Sequence, residues 1–433
     1  MAIRRSARSF GFWAVTHGFQ RFGLSVGARR GDLAALLTVD PGLRANPFDA
    51  YEELRTRGTL VPGRIVYATV NHAAVNEILR SEHFSVAGDH EELPGPLRSL
   101  VHRLSDPWAA GPIDPPSMLA VDPPVHGRYR KLVSRAFTAR SVQGLEGSVA
   151  QVVARELDAL EAGPDQVDLV ETFAARIPVA IIADLLGVAP AMHDQLLEWG
   201  NAAALALDPG LSWGQFRYAD QAVRALHQWI DEHLRTLRAD PGDDILSRLL
   251  QGEATDQLTD VELRQTALLV LGAGFETTVN LIGNAVMQLD EHPDQRKVLL
   301  DEPSLWGNAV EEVLRYDSPV QLTLRQAMQD VTIAGVPVRA GTAILSMLGG
   351  ANRDPEVFVD PQTFNVTRAD ADKHVSFSAG AHYCLGASLA RLEATTALSM
   401  LYERFPDLTV TGPAERRGTR VLRGYEHIPA RLR

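Results

Sequence analysis

One stretch of about thirty residues keeps an unbroken helical pattern and sets the scale of the molecule. Thr259 and Glu262 form a T-x-x-E capping box, in which two side chains satisfy backbone N–H groups at the start of a helix. The helical pattern of apolar residues extends as far as Asp290, and the dipeptide His292-Pro293 ends it. At 1.5 Å per residue this predicted helix is roughly 46 Å long. The remaining elements must therefore pack around it.

Shorter elements are predicted on both sides of this helix. Between residues 122 and 316, apolar residues recur at spacings of three and four, which predicts a helical bundle. The other predicted elements are a helix over 48–60, two strands over Leu60–Val70, a long loop over Val86–Pro116, a second sheet over Val331–Leu348 and a final helix after Cys384. This order predicts a mainly α fold with small β-sheets.

Charge and cysteine content exclude some partners and locations. The net charge of −12 disfavours a nucleic-acid partner, which would select a basic surface. The single cysteine, Cys384, cannot form an internal disulfide, and this favours a reducing, cytoplasmic environment. The N-terminus has no apolar run near the ~20 residues that a membrane span needs, so no transmembrane segment is expected.

The first residues are basic and aromatic, with Arg4, Arg5 and Arg8 before a stretch from Phe10 to Trp13. Such a segment could lie on a membrane surface as an amphipathic helix. It could also dock on the protein or fray from it, as termini commonly do. We favour the second interpretation.

Cys384 lies in the segment from Phe377 to Gly386, at the start of the final predicted helix. The helix dipole and its free N–H groups favour a thiolate there and would lower the pKa of the thiol. Gly386 has no Cβ and leaves room for a flat cofactor. A cysteine without such a context is more often a small buried apolar residue.

The pattern F-x-x-G-x-H-x-C-x-G over this segment resembles the haem-ligand loop of the cytochrome P450 family. The resemblance covers residues 45–433 and implies one catalytic domain, folded as a triangular helical prism with a long central helix. It implies haem b (iron protoporphyrin IX), with Cys384 as the iron ligand and Phe377 and Gly386 beside the cofactor. Residues 1–44 are an extension with no assigned role.

In the long helix, the run from Ala273 to Thr278 resembles the oxygen-activation motif of the same family. The Thr277 hydroxyl can bond back to the carbonyl of Ala273, and with Gly274 adjacent this opens a local groove beside the cofactor. The resemblance implies that Thr277 hydrogen-bonds the oxygen being activated and that Glu276 relays protons from solvent. A helix N-cap and a solvated Glu-Thr-Thr face are the alternatives, but the flanking residues are apolar.

His126 and Arg130 lie four residues apart on one helix face and can reach a common anion. Their string D-P-P-V-H-G-R-Y-R resembles the segment whose His and Arg bind the haem propionates in the family. By matched position, Arg325 and His382 are two further propionate donors. Val125 and Gly127 depart from the common pattern without touching the chemistry.

Glu312 and Arg315 lie three residues apart and can form an ion pair on one helix face. An isolated E-x-x-R is most often a surface pair of small energy. Its position before the second sheet resembles the family's buried E-x-x-R helix, which implies a structural pair that is joined by a downstream arginine. Arg368 is the candidate for that arginine.

The resemblance implies a monooxygenase that hydroxylates or epoxidises a hydrophobic small molecule, with electrons from a ferredoxin and its reductase. Five basic residues between His126 and Arg140, with no acid among them, could steer an acidic redox partner. The chain has no dinucleotide fingerprint, because Gly272-x-Gly274 lies within a helix. A peroxygenase that uses hydrogen peroxide, a haem-binding sensor or carrier, and, less plausible still, a zinc site are the alternatives.

Four segments are predicted to line the substrate cavity. They are the loop near residues 86–116, the helices around Ala202–Trp213, the long helix near Leu269–Ala273, and Val320–Thr323. Their residues are mostly small and apolar, which predicts a hydrophobic substrate.

Overall fold

The computed structural model describes residues 2–64, 66–86, 95–106, 108–251 and 258–433. Its helices are α1 (Ala2–Trp13), α2 (Phe19–Arg29), α3 (Leu33–Val39), α4 (Pro41–Ala45), α5 (Phe48–Arg57), α6 (His72–Arg80), α7 (Gly95–Leu104), α8 (Val125–Val133), α9 (Ala139–Gln143), α10 (Glu146–Ala162), α11 (Arg176–Leu185), α12 (His193–Ala204), α13 (Trp213–Ala239), α14 (Ile245–Leu250), α15 (Asp260–Glu291), α16 (Pro293–Asp301), α17 (Trp306–Tyr316), α18 (Leu348–Ala351) and α19 (Ala387–Arg404). Its strands are β1 (Val61–Pro62), β2 (Tyr67–Thr69), β3 (Phe84–Ser85), β4 (Gln166–Asp168), β5 (Leu322–Ala327), β6 (Val331–Ile333), β7 (Val336–Val338), β8 (Ala343–Met347), β9 (Thr409–Val410), β10 (Glu415–Arg416), β11 (Tyr425–His427) and β12 (Pro429–Arg431).

The predicted long helix is α15, and it is the centre of the main apolar core. Both capping-box bonds are present: the Thr259 N–H donates to Glu262 Oε2 at 2.8 Å, and the Glu262 N–H donates to Thr259 Oγ1 at 3.3 Å. Helices α11, α12, α13, α17 and α19 pack around it. Within the described residues, α15 alone is long and apolar enough to cross a membrane, but 72% of its apolar window is buried inside the protein. It is therefore a core helix.

Two of the sheets contain the strands that the sequence predicted, but the predicted strand pairing is only partly right. The five-stranded sheet has the order β1-β2-β8-β5-β3, and β1 and β2 confirm the two strands expected over Leu60–Val70. The prediction that Val331–Leu348 forms one separate sheet is wrong for β8. Only β6 and β7 pair as a hairpin, whereas β8 runs parallel to β2 with Tyr67 opposite Ile344. Alternation of apolar residues identifies a strand but not its partner.

The segment expected to be one long loop contains a helix. Helix α7 covers residues 95–104, where Leu97, Leu100, Val101 and Leu104 recur at helical spacing, so the loop prediction is wrong there. Residues 87–94 and 107 of the same segment lie outside the described part of the chain. Six short strands, β3, β4, β9, β10, β11 and β12, had no clear signal, because two or three residues are too few to show a period.

The N-terminal extension docks on the protein as a helix. A π-helical turn, Ala14–Gly18, joins α1 to α2. The Trp13 indole N–H donates to the carbonyl of Leu211 at 2.9 Å, and its ring lies 5.6 Å from that of Trp213. The extension therefore covers the connection between α12 and α13, as the docked interpretation expected.

Candidate active site

The loop before α19 holds Cys384. Its backbone N–H donates to the carbonyl of Phe377 at 2.8 Å, which closes the loop. Gly380 has a φ of 65°, and a Cβ there would lie 2.4 Å from the carbonyl oxygen of Leu79, so this position requires glycine. At Gly386, in contrast, a Cβ would meet nothing within 4 Å. The space expected beside Gly386 is therefore present.

The Cys384 side chain is accessible to solvent although protein surrounds it. Burial raises the pKa of its thiol, and the N–H of Gly386 and the charges of Arg130 and Arg391 lower it by smaller amounts. The prediction that the helix start lowers this pKa is wrong in its net sign, because desolvation of the thiolate outweighs the helix N–H groups. A metal ion bound to the sulfur would supply the missing positive charge.

The structure brings together the four residues that were predicted to hold propionates. The rings of His126 and His382 lie with their centroids 4.1 Å apart. Burial, followed by the charges of His126 and Arg325, lowers the pKa of His382 to about 3. Arg130 also acts on His126, and its charge helps to lower the pKa of that imidazole after burial. Asp122 lies opposite, with Oδ1 4.0 Å from His382 Nε2.

This cationic cluster has more donors than acceptors. His382 Nε2 is buried without a hydrogen-bond partner. Burial lowers the pKa of Arg325 to about 10, and the single charge that opposes this is Asp122. Because buried charges are normally paired, the cluster favours additional anions. The two arginines, the unpartnered imidazole nitrogen of His382 and the open space at Gly386 are compatible with a flat cofactor that carries acidic groups.

The middle of α15 contains a short accessible window in an otherwise buried helix. Gly272, Ala273, Gly274 and Thr277 are partly or fully accessible, while Leu268–Leu271 on one side are buried. The Thr277 hydroxyl donates to the carbonyl of Ala273 at 3.2 Å, as predicted. Accessible positions at the centre of a core helix indicate a cavity beside them.

Glu276 lies in the same turn but points into the protein. It is 3% exposed, and its Oε1 accepts from Arg417 Nη1 at 2.5 Å. Its Oε2 is buried without a hydrogen-bond partner. Burial raises the pKa of this carboxyl, and Arg417 lowers it by a smaller amount. The sequence did not reveal Arg417, since it lies 141 residues away in the C-terminal region.

The E-x-x-R pair is fully buried, and the predicted third member is present. Arg315 Nε and Nη2 donate to Glu312 at 2.7 and 2.8 Å, and both side chains are 0% exposed. Arg368 Nε donates to the same carboxylate at 3.2 Å. The contact with Arg368 is therefore confirmed, and the surface-pair alternative for E-x-x-R is wrong.

A neighbouring network had no sequence signal that we recognised. Glu311 accepts from His374 Nε2 at 3.0 Å and from Arg391 at 2.5 and 3.0 Å. Burial raises the pKa of Glu311, but these hydrogen bonds outweigh burial and lower it to about 2. The Arg391 guanidinium also lies 4.5 Å from the ring centroid of Phe377. This network joins α17 and α19 to the start of the Cys384 loop.

The five basic residues after His126 differ in their surroundings. Arg128 pairs with Glu262 of α15, and Arg130 is half-buried toward the cationic cluster. Lys131, Arg135 and Arg140 are exposed. These three residues are called the exposed basic patch below.

The segments that were predicted to line a substrate cavity belong to different elements. Leu269 of α15 packs with Met118 and Tyr129. Val320–Thr323 leads into β5, and Ala202–Trp213 ends α12 and reaches α13 beneath the N-terminal helix.

The chain is similar in sequence and in structure to proteins of one family. A model of the family described as Cytochrome P450 matches residues 191–412. Cytochrome P450 140 of Mycobacterium tuberculosis (strain ATCC 25618 / H37Rv) is 44% identical over 424 residues, which are 97% of either chain. Vitamin D(3) 25-hydroxylase of Pseudonocardia autotrophica is 37% identical, over 89% of this chain and 94% of that protein. The crystal structure of Mycobacterium smegmatis CYP164A2 has a TM-score of 0.82 at 34% identity, and the match covers 92% of this chain and 99% of that one.

Proposed function

Because the chain belongs to the cytochrome P450 family and is a haem b-dependent monooxygenase, we propose that it inserts one oxygen atom from O2 into a hydrophobic small molecule. The product is a hydroxylated or epoxidised compound, and the electrons come from a ferredoxin and its reductase. The observation that carries this proposal is the accessible window of α15, which presents Thr277 with Glu276 behind it.

The residues of this chain hold the cofactor in our proposal. Cys384 ligates the iron, and His126, Arg130, Arg325 and His382 bind the propionates. The charges of Arg130 and Arg325 and the buried His382 Nε2 without a hydrogen-bond partner support this role. The other proposed cofactor contacts are Ala273, Phe377 and Gly386. When bound, haem b supplies an iron centre that binds and activates O2.

Glu276 and Thr277 handle protons in the proposed reaction. The Thr277 hydroxyl is partly accessible and bonds its own helix, so it can turn to donate a hydrogen bond into the cavity. Glu276 is buried with a raised pKa, and it can therefore hold a proton at higher pH than an ordinary carboxyl. Arg417 fixes the position of Glu276 and is a positioning residue.

Replacing Thr277 tests the proposed reaction. Thr277→Ala should uncouple turnover. The electron donor should then be consumed at a similar rate, while hydrogen peroxide replaces most of the product. We expect coupled product formation to fall by about 100-fold, the usual size of a lost proton-transfer group. The measurement is product and peroxide per electron consumed. Thr278→Ala, one residue further along and buried, is the matched control. Wild-type coupling in Thr277→Ala would contradict the assigned role.

We propose that the exposed basic patch contacts an acidic ferredoxin. Arg135→Glu should slow ferric haem reduction by ferredoxin about tenfold at low salt, and the difference should shrink at high salt because the charges are screened. Stopped-flow reduction kinetics at two ionic strengths measure this. The control is Arg64→Glu, an exposed arginine outside the patch. Equal rates in both variants, at normal haem content, would place the partner elsewhere.

The broader organisation is also part of this proposal. Residues 45–433 form one catalytic domain, and residues 1–44 are an accessory segment that packs on it. The apolar character of the predicted cavity segments supports a hydrophobic substrate. A cytoplasmic location is proposed from the single cysteine and from the bacterial relatives.

A further inference from the structure

The exposed phenylalanines of this chain are concentrated in the N-terminal extension. The chain has 14 phenylalanines, and within the described residues those that are exposed are Phe10, Phe19 and Phe22. Phe10, on α1, still contacts the protein, since its ring centroid lies 5.2 Å from that of Trp213. Phe19 and Phe22, on α2, are 67% and 70% exposed. Large apolar side chains that are exposed together commonly mark an interaction surface.

Phe19 and Phe22 share one side of α2 with two arginines. Residues three and four positions apart lie on the same side of a helix. The residues on this side are Phe19, Phe22, Val26, Arg29 and Arg30, and they are called the α2 outer face below. Both arginines are exposed, and within the described residues neither side chain forms a hydrogen bond or an ion pair. The α2 outer face therefore combines apolar rings with free positive charge.

The opposite side of α2 holds the helix on the protein. Gly27 is buried, and a Cβ there would lie 3.0 Å from the Cβ of Ala35 on α3. A Cβ at Gly210 would lie 3.3 Å from the backbone of Arg21 and from Leu24. Helix α2 thus packs on α3 and on the connection between α12 and α13. In the described part of the chain, these contacts leave the α2 outer face uncovered.

The extension is basic, although the whole protein is acidic. The net charge of the chain is −12, but no Asp or Glu precedes Asp32. Asp32 accepts from the N–H of Ala35 at 3.1 Å and from the N–H of Arg64 at 2.8 Å, on the side of α2 that carries Gly27. The arginines before it are Arg4, Arg5, Arg8, Arg21, Arg29 and Arg30. The extension is therefore complementary to an anionic partner.

We infer that the α2 outer face docks on the surface of an anionic lipid bilayer. Phenylalanine rings enter the boundary between head groups and acyl chains, while arginines bind the phosphates of anionic lipids. A purely electrostatic partner would account for Arg29 and Arg30 but not for the two exposed rings. A second copy of this chain would bring like charges together, which disfavours self-association through this face. Helix α2 would lie on the bilayer without crossing it. The inference goes beyond the proposed function and does not depend on it.

Sedimentation with lipid vesicles tests the inference on the full-length holoenzyme. At low salt, the wild type should bind vesicles of phosphatidylglycerol and phosphatidylcholine in equal parts about tenfold more tightly than vesicles of phosphatidylcholine alone. Phe19→Ser/Phe22→Ser should weaken binding to the anionic vesicles by about 30-fold, because two rings no longer enter the bilayer. Arg29→Gln/Arg30→Gln should weaken it by about the same factor at low salt, and by less at high salt because the charges are screened.

Val359→Ser and Arg80→Gln are the matched controls, since both positions are exposed and lie outside the extension. They should bind both kinds of vesicle as the wild type does. All test positions are exposed, so haem content and thermal stability of the variants should stay at the wild-type level. The inference is overturned if the wild type binds neither kind of vesicle, or if the controls lose as much binding as the test variants.

Two other outcomes would assign the α2 outer face to a different partner. Loss of vesicle binding in Arg29→Gln/Arg30→Gln but not in Phe19→Ser/Phe22→Ser would show a contact with any polyanion and overturn the bilayer assignment. A dimer in analytical ultracentrifugation that Phe19→Ser/Phe22→Ser dissociates, without vesicle binding by the wild type, would assign the face to a second copy and overturn it as well. Vesicle binding needs no turnover. An enzyme that binds vesicles but oxidises no substrate would therefore contradict the proposed function and leave this inference intact.

Discussion

Two buried carboxylates with arginine partners show how this fold separates structure from chemistry. Glu312 on α17 is 0% exposed and Glu276 on α15 is 3% exposed, so both have lost nearly all contact with water. Each forms a short contact with an arginine, to Arg315 and Arg417 respectively. By burial and ion pairing alone, the two sites look alike.

Their hydrogen bonding differs. Both oxygens of Glu312 accept hydrogen bonds, from Arg315, from Arg368 and from the backbone N–H of Asn365 at 2.8 Å. Glu276 accepts one bond, and its second oxygen has none. Hydrogen bonds to both oxygens hold a carboxylate in one position, whereas a carboxylate with one free oxygen has room there for a proton. We infer that Glu312 holds the fold and that Glu276 can change its protonation state.

Removing the charge of Glu312 should have the largest effect. Glu312→Gln leaves Arg315 and Arg368 as buried cations without a counter-ion, and loss of one partner of a buried pair costs about 3–5 kcal/mol. We expect the free energy of unfolding of the holoenzyme to fall by that amount, with low haem content after purification. Urea unfolding followed by haem absorbance measures it.

The comparison needs a matched variant at the second site. Glu276→Gln should cost less than half as much stability, since Arg417 keeps bonds to the carbonyl of Tyr425 and to Asn201. If both variants lose the same stability, the proposed division between a structural and a catalytic carboxylate is wrong.

The sequence predicted much of the Glu312 site because its signals are local. Glu312 and Arg315 are three residues apart on one helix, and the family resemblance made Arg368 the candidate for the third member. The same holds for α15, whose capping box and apolar run fix both of its ends.

The Glu276 site was predicted only in part, for a physical reason. Glu276 and Thr277 lie in one helical turn with a recognisable pattern, but Arg417 reaches them from the far end of the chain. Its position depends on the loop between β10 and β11, and such short strands carry no periodic signal. The net pKa of Cys384 was missed similarly, because desolvation depends on tertiary packing.

The pH dependence of coupled product formation tests whether Glu276 changes its protonation state. Burial raises the pKa of Glu276 and Arg417 opposes this, so Arg417→Gln should raise that pKa further. We expect one apparent pKa in the profile of coupled product formation to move to higher pH in Arg417→Gln and to vanish in Glu276→Gln. Product formation should fall by about 100-fold in Glu276→Gln. An unchanged profile in both variants would remove Glu276 from the proton path.

A third buried carboxyl, that of Glu393, has no cation among the causes of its pKa shift in the described part of the chain. Glu393 on α19 is 1% exposed, its Oε2 has no hydrogen-bond partner, and burial alone raises its pKa well above the usual 4.5. The folded protein therefore keeps the proton while the unfolded chain releases it above about pH 4.5. Stability from this group is fully present below that pH and is lost as pH rises toward the folded pKa.

Replacing Glu393 should therefore change the free energy of unfolding least at low pH, and the change should grow as the pH rises. The Gln side chain cannot ionise, so relative to the wild type the free energy of unfolding of Glu393→Gln should increase with pH, by at most about 1.4 kcal/mol per pH unit. Urea unfolding at pH 5, 6.5 and 8 measures the slope. The exposed Glu403 provides a control, since Glu403→Gln should show no such trend. Parallel curves for Glu393→Gln and the wild type would mean that Glu393 is already ionised in the fold. A half-bonded carboxylate such as Glu276 would then need no proton to remain buried, and its proposed catalytic role would lose its physical basis.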